Sequence, residues 1–140
     1  MHENSIYRVL DANCNRLREA LRIIEEYFRF IVNREDASIE LKQLRHQLVE
    51  VEQTLGADAL LRHRDTGSDC FSDGNRPEEM SRQTITDLLR ANFKRAQEAA
   101  RVLEEFTKLT PAPGTSEIAK RIRFSLYQME QHHCGNNADG

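Results

Sequence analysis

An asparagine, an arginine and a glutamate follow one another at intervals of three residues in two separate stretches of the chain. The two sets are Asn13, Arg16 and Glu19, and Asn92, Arg95 and Glu98. Guanidinium groups bind phosphate oxygens in a bidentate fashion, and an asparagine amide offers a donor and an acceptor to the edge of a heterocycle. These side chains, brought together, would suit a phosphorylated heterocyclic ligand.

Further carboxylates follow both sets, and together with the first ones they could bind a divalent cation. Glu26 and Glu105 continue the two acidic series that begin with Glu19 and Glu98. Mg²⁺ favours carboxylate and phosphate oxygens, so these four glutamates are candidate ligands for it. The sequence contains neither a GxxxxGK[ST] loop nor a GxGxxG turn, so it lacks the familiar nucleotide-binding signatures.

The two stretches belong to an internal duplication. At an offset of 79 residues, "LDANCNRLREALRIIEEYF" (10–28) matches "LRANFKRAQEAARVLEEF" (89–106); at an offset of 78, "KQLRHQLVEVEQ" (42–53) matches "KRIRFSLYQMEQ" (120–131). Apolar residues recur at helical spacing in all four segments, and no stretch alternates with the period of a strand. The chain is therefore predicted to be all-α, a four-helix bundle of two duplicated helical hairpins related by a pseudo-two-fold axis.

The duplication also predicts how a single domain of 140 residues is organised. Repeat one spans about 5–55, a connecting segment 56–83, repeat two about 84–131, and a flexible tail 132–140. Gly56 is predicted to end the second helix, and residues 57–63 to form a short one. Thr84, with Asp87 three residues later, resembles a capping box for the third long helix.

The connecting segment occurs only once. A pocket built from two equal halves has no direction, so an asymmetric reaction needs an element that is not repeated. The candidates there, in "RHRDTGSD", are Arg64, Asp65, Thr66 and Asp69.

Asn13 lies in the middle of the predicted apolar face of the first helix, and Asn92 lies at the matching position of the third. A buried amide costs a few kcal/mol unless it finds partners, which favours a use for both. Simpler explanations stay open at this point. Arg16 and Glu19 would form an ordinary helix-surface pair, the two asparagines would bond each other across the axis, or both copies would retain an inherited scaffold.

Two further pairs at helical spacing are interpreted as salt bridges at the rim of the bundle rather than as site residues. They are Arg45 with Glu52, and Arg123 with Glu130.

Composition narrows the class of protein. With 31% charged and 39% hydrophobic residues and a net charge of -3, the chain is expected to be soluble, and without a basic stripe it is not expected to bind nucleic acid. No apolar run approaches the ~20 residues that span a bilayer, and no signal-peptide pattern is present, so a cytoplasmic location without membrane contact is expected.

The three cysteines show no CxxC spacing, and "HHC" at 132–134 is interpreted as part of a frayed terminus. The sequence is also compatible with a homodimer.

Several motifs together resemble a known family. "YRVLDANCNRLREALRIIEEYFRF", "LRHQL", "RHRDTGSD" and "DLLRANFKRAQEAARVLEEF" are similar to the helical domain fused to the N-terminus of thiamine-phosphate synthase in certain bacteria, over most of residues 5–131. The resemblance implies a monofunctional hydroxymethylpyrimidine-phosphate kinase. Such an enzyme transfers a phosphoryl group from ATP to 4-amino-5-hydroxymethyl-2-methylpyrimidine phosphate and gives the diphosphate.

The resemblance also implies roles for the candidate residues. Catalysis is assigned to Arg16, Glu19, Asp65, Arg95 and Glu98. Substrate and phosphate binding is assigned to Asn13, Arg64, Thr66, Asp69 and Asn92. ATP and Mg²⁺ are implied as cofactors, with Glu26 and Glu105 as the metal ligands. Two alternatives are a non-catalytic helical module that docks to or regulates thiamine-phosphate synthase, and a dimerising bundle without a ligand.

Overall fold

A computed structural model describes residues 2–64, 67 and 81–135, and these residues form helices and turns without strands. The long helices are α1 (Glu3–Glu26), α2 (Glu35–Leu55), α4 (Ile85–Phe106) and α5 (Thr115–Glu130), and α3 (Ala57–Arg62) is a short one. α1 and α5 continue into π-helical turns at Tyr27–Ile31 and Gln131–Gly135, and a 3₁₀ turn follows α4 at Thr107–Leu109. None of the described helices is long and apolar enough to cross a membrane.

Each long helix buries one apolar stripe, because its apolar side chains recur every three or four residues. The stripes meet in one core, whose largest fully buried side chains include Leu10, Leu17, Leu21, Ile24, Leu41, Leu48, Phe93, Leu103, Ile122 and Leu126. α1 packs most extensively against α4, and α4 against α5; α2 contacts both α1 and α5, while α3 lies against α1 and α2. The predicted all-α bundle is confirmed; its pseudo-two-fold axis stays a prediction.

The predicted helix ends are confirmed where short-range chemistry determines them. The hydroxyl of Thr84 accepts a hydrogen bond of 3.0 Å from the backbone N–H of Asp87 at the start of α4. Gly56 ends α2 with φ of 97°, a conformation that side chains other than glycine rarely adopt. The short helix after it lies where the sequence predicts one.

Two stretches differ from the sequence-based prediction. Ile31 continues the helical spacing of the apolar residues in the first segment, which predicts that it is buried, but it is 56% exposed. The π-helical turn accommodates an extra residue and changes the phase of the helix there. The predicted flexible tail begins with a π-helical turn instead, in which Cys134 is buried and the ring of His133 lies 4.6 Å from that of Phe28. Residues 136–140 lie outside the described residues.

Two ion pairs at matching positions of the two repeats join the helices of each hairpin. In repeat one, Arg45 donates from Nε and Nη2 to the carboxylate of Glu25 at 2.6 and 3.1 Å. In repeat two, Arg123 donates from the same two atoms to Glu104 at 2.7 and 3.2 Å. The predicted rim pairs within α2 and within α5 are therefore wrong, since both arginines bind carboxylates on the neighbouring helix.

Candidate functional site

The two asparagines are buried and bonded within their own helices. Asn13 is 4% exposed and Asn92 is 5% exposed. The amide nitrogen of Asn13 donates to the carbonyl oxygen of Val9 at 2.9 Å, and that of Asn92 donates to the carbonyl oxygen of Leu88 at 2.8 Å. A hydrogen bond to the carbonyl four residues back offsets part of the cost of burying each amide.

The arginines and glutamates of the two repeated sets are exposed on the surface of α1 and α4. Arg16 lies near Asn13, with 3.5 Å between its Nη1 and the amide oxygen. Within the described part of the chain, Arg95, Glu19 and Glu98 make no hydrogen bond or ion pair. Their functional groups are therefore open to a ligand, although the structure shows no contact that joins the set on α1 to the set on α4.

The predicted metal ligands lie beside basic side chains. Glu26 is 3.9 Å from Arg22, and Glu105 lies 3.6 Å from Arg101 and 3.1 Å from Lys108. Among residues 2–64, 67 and 81–135, no three His, Cys, Asp or Glu side chains are grouped closely enough to share a metal ion. A Mg²⁺ ion that keeps several waters needs only one or two carboxylates and a phosphate. The unpaired Glu19 and Glu98 fit such a site better than Glu26 and Glu105 do.

Arg64 is the one predicted residue of the unrepeated segment that the structure describes. Its Nε and Nη2 donate to the two carboxylate oxygens of Asp11 at 2.7 and 2.8 Å. Asp11 is buried, and its hydrogen bonds raise the pKa of Arg64 further above the ordinary value. Asp65, Thr66 and Asp69 lie outside the described residues.

A second pair of charges lies next to this one. Arg18 donates to Glu52 on α2 and to the amide oxygen of Asn15. Asp11, Asn15 and Arg18 share one face of α1 by their helical spacing, and Arg64 and Glu52 both bind this face. We call the five residues Asp11, Asn15, Arg18, Glu52 and Arg64 the Asp11 cluster.

Cys14 lies among these charges without joining them. It is 1% exposed, and burial raises the pKa of its thiol to about 12, with a further contribution from Glu52. A thiol in this state is protonated and unreactive. Cys14 is therefore a core residue rather than a nucleophile.

The corresponding positions of repeat two carry different charges. Arg90 stands where repeat one has Asp11, and Gln97 stands where it has Arg18. Gln97 donates from its amide nitrogen to Glu130 at 2.7 Å, so the contact between the helices persists while one charge is lost. The Asp11 cluster is consequently a feature of repeat one, as an asymmetric site requires.

The sequence-based prediction missed Asp11, Arg18 and Glu52. Asp11 lies about 160° around the helix from Asn13, and nothing in its local pattern distinguishes it from a surface carboxylate. The one available signal was the duplication itself, because Asp11 and Arg18 are positions at which the two otherwise similar repeats differ.

The Asp11 cluster fixes the orientation of a guanidinium without adding net charge. In the Asp11 cluster two arginines balance two carboxylates, and the guanidinium of Arg64 is fixed in orientation by its bidentate contact. Arg16 on the same helix carries a further exposed cation.

Comparison with known proteins places the chain in a family. Residues 8–132 match the family model described as "ThiD2 family", which is most of the chain. The chain belongs to the ThiD2 family. It is 40% identical over 131 residues to a thiamine-phosphate synthase of Nostoc punctiforme and 43% identical over 131 residues to one of Nostoc sp. PCC 7120. A thiamine-phosphate synthase of Thermosynechococcus vestitus is 45% identical over 129 residues.

These similarities cover nearly all of this ThiD2-family chain and about a third of each relative. The aligned part is 94% of the chain but 36% of either Nostoc protein, and 89% of the chain but 34% of the Thermosynechococcus protein. About two thirds of each relative therefore lies outside the part that aligns with this chain. No solved structure matches the chain.

Proposed function

We propose that the chain acts in thiamine biosynthesis as a kinase that converts 4-amino-5-hydroxymethyl-2-methylpyrimidine phosphate to its diphosphate with ATP. Membership of the ThiD2 family and the likeness to part of several thiamine-phosphate synthases support the pathway. The diphosphate of this pyrimidine is what such a synthase would consume. The proposed kinase would therefore supply the substrate of the synthase to which the domain is joined in those relatives.

The observation that carries the proposal is the bidentate contact between Arg64 and Asp11. It holds a guanidinium from the unrepeated segment against α1, the helix that also carries Arg16 and Arg18. Fixed cations around a phosphate lower the cost of bringing two anionic groups together. The acceptor of this reaction is already a phosphate, so the site needs positioning and charge neutralisation more than a strong general base.

Each group has a simple part in this scheme. Arg16 and Arg95 hold phosphate oxygens, and Asn13 and Asn92 present amide oxygens toward the pyrimidine side of the site. Glu19 and Glu98 are the carboxylates that would hold Mg²⁺, which when bound neutralises charge on the nucleotide phosphates. Arg64, fixed by Asp11, supplies a cation with a set direction.

Incubating the purified chain with Mg-ATP and the pyrimidine monophosphate tests the proposal directly. The expected result is formation of the diphosphate and ADP, measured by chromatography. No turnover, alongside an active control enzyme that performs the same step, would sink the kinase proposal.

Substitution of the exposed arginines should separate catalysis from folding. We expect Arg16→Ala and Arg95→Ala each to reduce kcat/KM by about 10- to 150-fold, since charge-assisted contacts to phosphate contribute about 1.5–3 kcal/mol each. Melting temperatures should stay within a few degrees, because both side chains are exposed and only Arg16 has a contact, at 3.5 Å. A large fall in stability with unchanged specific activity would mean that the arginines serve the scaffold.

A second candidate function is docking to thiamine-phosphate synthase without catalysis. Phe30, Ile31 and Val32 are all exposed in one short segment, and Phe30 is 60% exposed. Clustered apolar side chains on a surface are typical of protein–protein contacts. If this is the role, adding the chain to a separate synthase should change its activity or its elution volume, whereas Phe30→Ser should abolish the effect.

A further inference from the structure

A concave surface lies away from the Asp11 cluster, where α1 turns into α2. It is a cleft of about 400 Å³, which is within the range of small-molecule sites. Its charged lining residues are Glu25, Arg29, Arg34, Glu35, Lys42 and Arg45. Four cations face two carboxylates, so this surface, which we call the hairpin cleft, is positive in a chain whose net charge is -3.

The cations of the hairpin cleft differ in how far they are already engaged. Arg45 is bound by Glu25, and Arg34 donates from Nε and Nη2 to Asp36 at 3.2 and 3.1 Å. Lys42 makes no hydrogen bond or ion pair among the described residues, and the guanidinium of Arg29 lies over the ring of Phe30 without a carboxylate partner there. Two cations are therefore left for an incoming anion.

Backbone geometry forms the remaining wall. The π-helical turn carries Arg29 to the rim, and Asn33 follows with φ of 53°, in the left-handed region that asparagine tolerates better than most residues. The chain then enters α2 at Glu35, and Ser38 contributes a hydroxyl to the wall. The positive end of the α2 dipole adds to the field of the cations.

We propose that the hairpin cleft binds the phosphate or diphosphate group of a small molecule. Phosphate oxygens match arginine and lysine donors, and the volume admits a small ligand. The cluster is local rather than a stripe, which does not suit the backbone of a nucleic acid. This site lies apart from Asn13, Arg16 and Arg64, and its existence does not depend on the kinase reaction.

The duplication supplies a matched control. Lys120 occupies the position of Lys42 in repeat two but lies 5.8 Å above the ring of Phe124. Lys108 occupies the position of Arg29 but is bound by Glu105 at 3.1 Å. Lys120→Ala therefore removes the same charge from the same place in the repeat, without touching the hairpin cleft.

Isothermal titration calorimetry of the full chain with inorganic pyrophosphate tests the proposal. We expect Lys42→Ala and Arg29→Gln each to weaken binding about tenfold or more, and Lys120→Ala to leave the Kd within about twofold. Parallel titrations with orthophosphate, ATP and adenosine separate one phosphate from two, and a nucleotide from its phosphates. Binding by pyrophosphate and ATP but not adenosine is the expected pattern.

Two outcomes would overturn the proposal: wild-type chain that binds neither pyrophosphate nor ATP, or equal weakening by Lys42→Ala and Lys120→Ala. The melting temperature of Lys42→Ala should match that of the wild type, because Lys42 has no hydrogen-bond or ion-pair partner among the described residues to lose. A chain that lacks kinase turnover but binds pyrophosphate through Lys42 would contradict the proposed function and leave the hairpin cleft intact.

Discussion

Asp11 and Arg64 meet although 53 residues separate them, and their contact joins the unrepeated segment to α1. Buried carboxylates are uncommon unless they are paired, and this one holds Arg64, which follows α3, against α1. Its partner is 43% exposed, which leaves that side of the guanidinium in contact with solvent and ligands.

We expect Asp11→Asn to destabilise the chain by about 1–3 kcal/mol, between the values typical of exposed and buried ion pairs. Turnover in the proposed reaction should fall at least tenfold, because Arg64 loses its fixed orientation. Urea denaturation and steady-state kinetics measure the two effects. Asp58→Asn, a change at an exposed position of α3, is the control. Equal kcat/KM for Asp11→Asn and wild type would show that the pair has no part in the site.

The buried asparagines allow a sharper separation of fold from function. Leucine at position 13 or 92 removes the amide but keeps a side chain of similar size, and the carbonyl that accepted its hydrogen bond is still part of a helix. We expect stability to stay within about 1 kcal/mol of wild type, while turnover falls at least about tenfold. Full activity in both Asn13→Leu and Asn92→Leu would show that the amides only occupy the core.

Single residues also mark the limit of what the sequence could predict. That Asn13 is buried follows from helical periodicity, which places it among apolar side chains. The burial of Asp11 does not follow from this periodicity, because its position around the helix is typical of a surface residue. Its partner, Arg64, lies in another part of the chain. Pairing across elements depends on how the helices pack, and no local pattern encodes it.

Among the elements, the α4–α5 hairpin is fastened by the more fully buried of the two matching ion pairs. Glu104 and Arg123 have side chains only 7% and 13% exposed, whereas Arg45 in the first hairpin is 27% exposed. The hydrogen bonds from Arg123 hold the pKa of Glu104 below its ordinary value of 4.5. The charged form of Glu104 therefore stabilises α4 against α5.

This shift predicts how stability depends on pH. Because the pKa of Glu104 is lower in the folded chain than in the unfolded one, its contribution is present above pH 4.5 and is lost as pH falls through the folded value. Glu104→Gln should cost about 3–5 kcal/mol near pH 7 and show a smaller further loss than the wild type as pH falls below 4.5. Thermal melts across this range measure both. The matching Glu25→Gln should cost less, and an equal cost would contradict the ranking by burial.

Helix ends show which parts of an element its own sequence determines. Thr84 and Gly56 act through bonds and dihedral angles within a few residues, and both lie where the pattern predicts them. The π-helical turn at Tyr27–Ile31 does not follow from residue types, since its five residues would also suit an α-helix.

At the scale of the whole molecule, the apolar period of four segments and their duplication were sufficient to predict an all-α bundle. The same pattern could not predict that residues 131–135 pack onto it. There Cys134 is buried, and burial, followed by the charge of Glu130, raises the pKa of its thiol. A polar stretch that ends in "HHC" offers no periodicity, so its packing depends on a gap that only the assembled helices create.

His133 gives this packed segment a measurable signature. Burial and the neighbouring His132 lower its pKa below the ordinary value of 6.5. The unfolded chain therefore binds a proton more readily, and stability falls as pH drops below 6.5 toward the folded value. His133→Phe keeps a ring against Phe28 and should remove this part of the pH dependence, whereas His46→Gln on the exposed face of α2 should not. Identical profiles for the two variants would contradict the packing of the segment.

The π-helical turn has a consequence for how the chain tolerates changes in length. A helix rotates about 100° and advances 1.5 Å with each residue, so one deletion between positions 27 and 31 would turn Asn33 and Arg34 to another side of the hairpin. Deletion of the exposed Phe30 or Ile31 would remove no buried side chain and would still displace the wall of the hairpin cleft beside Lys42. The number of residues in this turn therefore determines the shape of the hairpin cleft. Variants that differ by one exposed residue there should fold alike but differ in what they bind.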